Sequence, residues 1–186
     1  MVVKADVQLD AKGLACPMPI VKTKKAMNEL VEGQVLEVQA TDKGSKADLA
    51  AWANTVGHQY IGTSEVGDIL FHYIRKCNLE TSEQAEQTFE ATISNEEILH
   101  RAGLILDVRE EAEYAFGHVP GAKSIPMGDL EARMKELDMN QEIYVICRTG
   151  TRSDMAATML AKAGFKNVYN VLPGMLGWTG ELTKEL

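Results

Sequence analysis

The stretch VICRTGTRSDM, Val145 to Met155, sets a cysteine between an apolar run and a short loop holding one glycine and two arginines. A thiolate in a cationic cradle can attack phosphorus, or it can carry a sulfur atom. The apolar residues before Cys147 suit the end of a buried strand, and helical spacing resumes at Ser153. A cysteine at such a junction lies on the carboxyl edge of an open α/β sheet, where ligands bind. Successive N–H groups of the loop make an anion-binding nest, the dipole of the following helix adds to it, and Arg148 and Arg152 bring full charges. Each favours thiolate over thiol, and cysteine pKa values fall from about 8.5 to ~3.5–7.5 in such settings. Gly150 allows the tight curl. Arg148, Thr149, Gly150, Thr151 and Arg152 are therefore the expected substrate-binding residues.

Spacing separates the two chemistries. A protein tyrosine phosphatase uses Cys-x5-Arg, with the arginine gripping phosphoryl oxygens bidentately. Here the sixth residue after Cys147 is Ser153, and the arginine, Arg152, comes one position early. The shorter loop makes a smaller cradle, better matched to one terminal sulfur than to a phosphoryl group.

A second thiol stands in LDAKGLACPMPIVKTKKAM, Leu9 to Met27. Pro17 and Pro19 flank the residues after Cys16, and proline is tolerated in a helix's first turn because its missing N–H would have had no partner there. Cys16 is thus expected at a helix N-terminus, where the dipole lowers a thiol pKa. Lys22, Lys24 and Lys25 follow within two turns and add positive potential. Taken alone, the bland alternative is a cysteine that happens to start a helix whose lysines are solvated. The third cysteine, Cys77, has no such neighbours and is read as non-essential.

These thiols must be held by two sets of elements. A strand over Val7–Leu9, a helix after Pro17 with Ile20, Val21, Met27 and Leu30 as apolar positions, and a stop at Gly33 come first. A strand over Gln34–Ala40 follows, then a helix capped by Ser45 and ended by Gly57. Strands at Gln59–Glu65 and Ile69–Arg75 close the set around a turn at Gly67-Asp68. The order β-α-β-α-β-β suits two helices on a four-stranded sheet. Residues 77–91 are polar and acidic and read as a linker. Beyond it, Ser94 and Glu97 form a capping-box signature for a helix to Arg101. Strands at Gly103–Val108, Ile143–Ile146 and Val168–Val171 alternate with helices after Asp107 and over Ser153–Ala163, the latter with Met155, Ala156, Met159, Leu160 and Ala163 on one face. Alternating strands and helices imply a parallel sheet covered on both sides. The expected fold class is α/β, with a two-layer domain at 1–76 and an α/β domain with a parallel central sheet at 92–186.

The chain has 186 residues and a net charge of −8. Residues 1–76 are neutral by count, and the excess of acid lies in the linker and the second half. Such a chain is a poor non-specific binder of nucleic acid, which excludes direct tight nucleic-acid binding. No apolar run approaches the roughly 20 residues of a membrane helix, and the N-terminus is too polar for a signal peptide, so a cytoplasmic protein without membrane attachment is expected. Three widely spaced cysteines suggest neither a disulfide framework nor zinc. No signature for a metal or an organic cofactor is present. The apolar content, 45%, permits a homodimer.

Residues ~92–186 resemble a single-domain rhodanese sulfurtransferase. LILDVREEAEYAFGHVPGAKSIP (Leu104–Pro126), VICRTGTRS (Val145–Ser153) and LPGMLGW (Leu172–Trp178) carry the resemblance. It implies that Cys147 takes sulfane sulfur as a persulfide and that backbone N–H groups from Arg148 to Arg152 hold the outer sulfur, with Arg152 closing the loop. Asp107, Arg109, Glu113 and His118 fall in the matching DVR-x3-E and GHxPGA pieces. Asp107 and Arg109 are expected to tie a strand end to a loop, and His118 to order a turn. Residues ~6–76 resemble a TusA-type (SirA-like) sulfur carrier through the LDxxGLxCPxP pattern, which implies that Cys16 carries a persulfide, with Pro17 and Pro19 as structural support.

Two sulfur-carrying thiols in one chain imply a relay. Cys147 would load from thiosulfate, a low-molecular persulfide or a donor protein, and Cys16 would deliver to a thiol or protein acceptor. A linker of about 14 residues spans roughly 20 Å root-mean-square as a coil, which gives an effective concentration near millimolar. The alternative is a persulfide-binding regulatory or carrier module without significant turnover. A place in an RNA-thiolation pathway would be a choice of acceptor, compatible with either.

Overall fold

A computed structural model of the chain describes residues 3–78 and 88–186. The chain divides into two compact units, Met1–Gln84 and Ala85–Glu185. In the first, the order is β1 (Val7–Asp10), α1 (Met18–Glu29), β2 (Val35–Ala40), α2 (Ser45–Thr55), β3 (Gln59–Val66) and β4 (Ile69–Arg75). The sheet runs β1-β2-β4-β3, with β1 and β2 parallel and the other pairs antiparallel. Alternate residues of the strands, Leu36, Val38 and Ile74, meet Met27 and Leu30 of α1 and Leu49 and Ala53 of α2. Burying each of these side chains other than Ala53 contributes about 1.5–3 kcal/mol. Because β1 and β2 are parallel and each is followed by its own helix, α1 and α2 both begin at the same edge of the sheet.

Two sequence expectations in this unit change. The buried stripe of α1 is Pro19, Thr23 and Met27, and Val21 is exposed. A helix offers one face to the sheet, and Val21 lies about 160° around the axis from Pro19 and Thr23. Ser45 does not cap α2. Its hydroxyl donates to Asp42 O and meets His72 Nε2, while the Asp42 carboxylate accepts from Gly44 N at 3.0 Å.

The second unit runs β5 (Thr92–Ser94), α3 (Asn95–Ile98), β6 (Leu104–Asp107), α4 (Glu111–Phe116), β7 (Lys123–Ser124), α5 (Leu130–Arg133), β8 (Ile143–Ile146), α6 (Thr151–Lys162) and β9 (Val168–Leu172). Its sheet order is β5-β9-β8-β6-β7, parallel throughout. The central strand β8 explains its own composition. Ile143 and Val145 enter one core with Leu106, Ala157 and Leu160, and Tyr144 and Ile146 enter another with Ile93, Val119 and Val171. Both faces are covered, so the strand is apolar throughout.

The capping box at Ser94 and Glu97 forms, but α3 stops at Ile98 rather than reaching Arg101. Leu99 is exposed and has no core to meet, and Leu99, His100 and Arg101 close with i→i−3 hydrogen bonds, the tighter geometry of a frayed end. In α6 the buried residues are Ser153, Asp154, Ala156, Ala157 and Leu160, and Met155 is exposed. The short strands β5 and β7 carry too few residues for a period to show in the sequence.

Residues 79–87, the middle of the expected linker, lie outside the described residues. Its ends are tied down. Cys77 bonds to His58. Thr88 and Phe89 donate to the Asp154 carboxylate.

Among the described residues no helix is long and apolar enough to cross a membrane, and no group of three or more His, Cys, Asp or Glu side chains is placed to hold a metal ion.

Candidate functional site

Cys147 follows the last residue of β8, and Gly150 opens α6 with φ of +97°. Only glycine adopts that conformation without strain, and it curls the loop so that Gly150 N donates to Cys147 Sγ at 3.1 Å. Thr151, Arg152 and Ser153 are the first residues of α6, and N–H groups in a helix's first turn have no acceptor within the helix. The sulfur thus sits at a positive helix end. Cys147 itself is 1% exposed, while Arg148 and Thr149 are exposed.

The loop is backed by a second one. Met175 N donates to Cys147 O at 2.8 Å, and Leu176 N to Arg148 O at 2.9 Å. Gly174, at φ +80°, makes this approach possible: a Cβ there would stand 2.6 Å from Cys147 O. The Asn95 amide donates to Gly174 O and fixes the second loop to the start of α3.

The structure places the expected site residues as follows. Arg152 does not reach toward the cradle with a free guanidinium. It donates to both oxygens of Glu113, at 2.7 and 3.0 Å, with Glu110 at 3.9 Å. Burial works against its charge, but the Glu113 carboxylate, helped by Cys147 and Glu110, outweighs it and holds the guanidinium above its ordinary pKa. Asp107 and Arg109 form a buried pair at the end of β6, with Arg109 also donating to Gly117 O at 2.8 Å. His118 is buried, stacks on Tyr114 at 3.6 Å and meets Tyr114 O through Nδ1, and its backbone bridges to Thr183.

Sequence reasoning missed two residues here: Ser153, which lies against the sulfur, and Asn170, which lies behind Ser153. The Ser153 hydroxyl is 3.2 Å from Cys147 Sγ and 2.7 Å from Asn170 Oδ1. The sequence set Ser153 apart only as the place where a phosphatase has its arginine. For Asn170 the signal was a polar residue inside the apolar strand VYNVL, since a buried amide must find partners.

Cys16 is exposed and lies just before α1, where Pro17 takes the N-cap position without a side-chain hydrogen bond. Gly13 N donates to Thr41 Oγ1 at 2.9 Å, and Cys16 N to Asp42 Oδ2 at 3.3 Å, so the cysteine loop is held by the loop before α2. Pro19 is buried and anchors the first turn. The electrostatics differ from the expectation drawn from the helix dipole and the lysines. A hydrogen bond to Asp48 pushes the Cys16 thiol up, with smaller contributions from desolvation and from the charges of Asp48 and Asp42. The reason is topological: α1 and α2 start at one sheet edge, so the first turn of α2 brings its carboxylate to the thiol, while Lys22, Lys24 and Lys25 are exposed further along α1. Cys77 is half-buried with Arg75 Nη1 at 3.4 Å from its sulfur.

The family model described as "Sulfurtransferase TusA" matches residues 7–76, and the model described as "Rhodanese-like domain" matches residues 87–181. The chain is 52% identical over 185 residues to "Putative sulfur carrier protein YrkF" of Bacillus subtilis (strain 168), covering 96% of this chain and 98% of that protein. It is 45% identical over 71 residues to "Sulfur carrier protein TusA" of Allochromatium vinosum, 38% of this chain and 92% of that one. A "Sulfurtransferase" of the same organism is 35% identical over 75 residues, 40% of this chain and 70% of that protein.

Proposed function

We propose a course of sulfur transfer for this chain, which belongs to the family joining a TusA sulfurtransferase domain to a rhodanese-like domain: Cys147 loads sulfane sulfur as a persulfide and passes it to Cys16. With thiosulfate as donor, the Cys147 thiolate attacks the outer sulfur. A new S–S bond forms at Cys147, the S–S bond of thiosulfate breaks, and sulfite leaves with the electron pair. A low-molecular persulfide or a donor protein's persulfide loads Cys147 in the same way, with a thiolate as leaving group. The Cys16 thiolate then attacks the outer sulfur of the Cys147 persulfide, and Cys147 leaves as a thiolate. Such exchange depends on the attacking thiolate fraction, the leaving group and access.

The observation that carries this reading is the setting of Cys147: a sulfur at a helix N-terminus, bonded by Gly150 N, in a loop of the short kind. An outer persulfide sulfur bears the negative charge, and the N–H groups of Arg148 to Arg152 are the donors that would hold it. Arg152, bound to Glu113, supports the loop by position rather than by gripping the donor. Cys16, exposed at its helix start, is the thiol suited to meet a thiol or protein acceptor. Asp107, Arg109 and His118 brace the surrounding elements.

Peptide-mapped mass spectrometry tests it. Wild type, Cys147→Ser and Cys16→Ser are incubated with limiting thiosulfate or a small persulfide and quenched with an alkylator. Sulfur on Cys16 in wild type, absent when Cys147 is replaced, is the expected result. Independent loading of both cysteines would overturn the relay and leave two separately supplied carriers.

A further inference from the structure

Beneath the Cys147 loop lies a buried polar chain that neither the loop's anion-binding geometry nor the sulfur relay uses. Asn170 is on β9 opposite Val145, two residues before Cys147, and is fully buried, as is Ser153. Its Nδ2 donates to Gly150 O at 3.2 Å. That carbonyl can only accept, so the bond fixes the amide and turns Oδ1, an acceptor, toward Ser153. The Ser153 hydroxyl has one proton and three acceptors in reach: Asn170 Oδ1 at 2.7 Å, Gly150 O at 3.1 Å and Cys147 Sγ at 3.2 Å. Gly150 O is already served by Asp154 N at 3.0 Å. The choice for the proton is therefore between Asn170 and the sulfur.

We propose that Asn170 is a positioning residue for Cys147 that acts through Ser153, holding the hydroxyl proton when Cys147 is a thiol and releasing it to sulfur when Cys147 is a thiolate. In the thiol state every partner is satisfied in sequence: Cys147 S–H donates to Ser153 Oγ, and Ser153 O–H donates to Asn170 Oδ1. When the thiol loses its proton, the sulfur accepts from Gly150 N and needs a second donor. The Ser153 hydroxyl turns to supply it, and Asn170 Oδ1 is left buried without a partner. That unpaired acceptor is a standing cost on the empty thiolate. Forming a persulfide moves the negative charge to the outer sulfur, so the inner one no longer calls for the hydroxyl and Ser153 returns to Asn170. The amide thus favours the neutral inner sulfur, in thiol or persulfide, over the empty thiolate.

The charged groups near the sulfur include Arg152 and Asp154 on α6, Arg152's partners Glu113 on α4 and Glu110 just before it, the Asp107–Arg109 pair at the end of β6, opposite Ile146, and the neighbouring Arg148. None is altered in the test. The inference rests on the reading of Cys147 as the reactive thiol, but alkylation reports on that sulfur whether or not it carries sulfane sulfur, so the two can fail separately.

In the full chain with Cys16 and Cys77 replaced by serine, the pH dependence of iodoacetamide alkylation at Cys147 is compared in four proteins: parent, Asn170→Val, Ser153→Ala and the double variant. Valine fills most of the amide's volume and offers no acceptor, and Asn170→Ala is the second choice should it not fold. Asn170→Val is expected to move the midpoint to lower pH by roughly half a unit to one unit, the size of one charge-assisted hydrogen bond's imbalance. Ser153→Ala is expected to move it upward. With Ser153 gone, the Asn170 substitution is expected to have no further effect. An unchanged midpoint in Asn170→Val, or an equal shift with and without Ser153, would overturn the proposal and leave Asn170 as packing only.

Discussion

Arg152 and Glu113 stand 39 residues apart in sequence and are joined by two hydrogen bonds, of 2.7 and 3.0 Å, which lock the first turn of α6 to α4. Glu113 is almost wholly buried, and its carboxylate also takes Glu110 N at 3.1 Å. Removing one partner of a buried pair leaves the other charge uncompensated, at a cost of about 3–5 kcal/mol. Glu113→Ala is therefore expected to lower the unfolding free energy of the second unit, read from urea titration, by a comparable amount and to slow alkylation or loading of Cys147, whose loop Arg152 adjoins. Unchanged unfolding in Glu113→Ala would show that the pair holds nothing in place.

Asp48 makes Cys16 a reluctant nucleophile at rest. Its hydrogen bond pushes the thiol up, so the thiolate fraction at neutral pH is below that of an unperturbed cysteine. Asp48→Asn removes the charge and keeps the shape. The alkylation profile of Cys16 is expected to move to lower pH and its rate at pH 7 to rise several-fold. A profile that does not move, or moves upward, would mean that another group governs this thiol.

His72 gives the first unit an acid-sensitive core. It is fully buried, bonded to Ser45 through Nε2 and to Tyr60 and Thr63 through Nδ1. Burial, with Lys46 nearby, lowers it to about 4, against a small opposing pull from Glu65. The unfolded chain, near 6.5, takes up a proton first as pH falls. The stabilising contribution of neutral His72 is thus complete above about pH 6.5 and is lost progressively toward pH 4. Urea midpoints followed through Trp52, with Trp178→Phe to silence the other tryptophan, should fall across that window in the parent. They should fall less steeply in His72→Gln. Parallel slopes in the two proteins would place the acid sensitivity elsewhere.

Gly174 leaves no room for a side chain beside the candidate site. Alanine there meets Cys147 O at 2.6 Å and Arg148 O at 3.0 Å, on a backbone at φ +80°. Backbone atoms cannot yield as a side chain's end would, and the conformation alone costs about 1–3 kcal/mol for a residue with a Cβ. Gly174→Ala should destabilise the second unit by at least that much and disturb Cys147 reactivity in the same protein. Retention of both full stability and reactivity would show that the two loops separate readily.

Much of the architecture was legible from local pattern. β8 was read as Ile143–Ile146, and that is its extent, because this strand is covered on both faces and its four residues form an unbroken buried run. The break at Gly33 and the turn at Gly67 were legible because positive φ selects glycine. Cys147 stood out because the strand end, the glycine, the arginines and the helix start occupy neighbouring positions, and a short loop fixes them relative to one another without help from the rest of the chain. The same holds for the prolines that place Cys16 at a helix start.

What surrounds each sulfur was a different matter. The sequence by itself determined that Cys16 begins α1, but the parallel pairing of β1 with β2 decided that Asp48 of α2 would face it, reversing the expected electrostatic setting. The sequence determined that Arg152 follows Cys147 by five residues. The packing of α4 against the start of α6 decided that its charge is spent on Glu113. Ser153 and Asn170 lie 17 positions apart, and only the pairing of β8 with β9 brings the amide under the loop. Hydrogen bonds and charges act over a few ångströms of space, and neighbours at that range are set by strand order and helix packing, which no window of sequence contains.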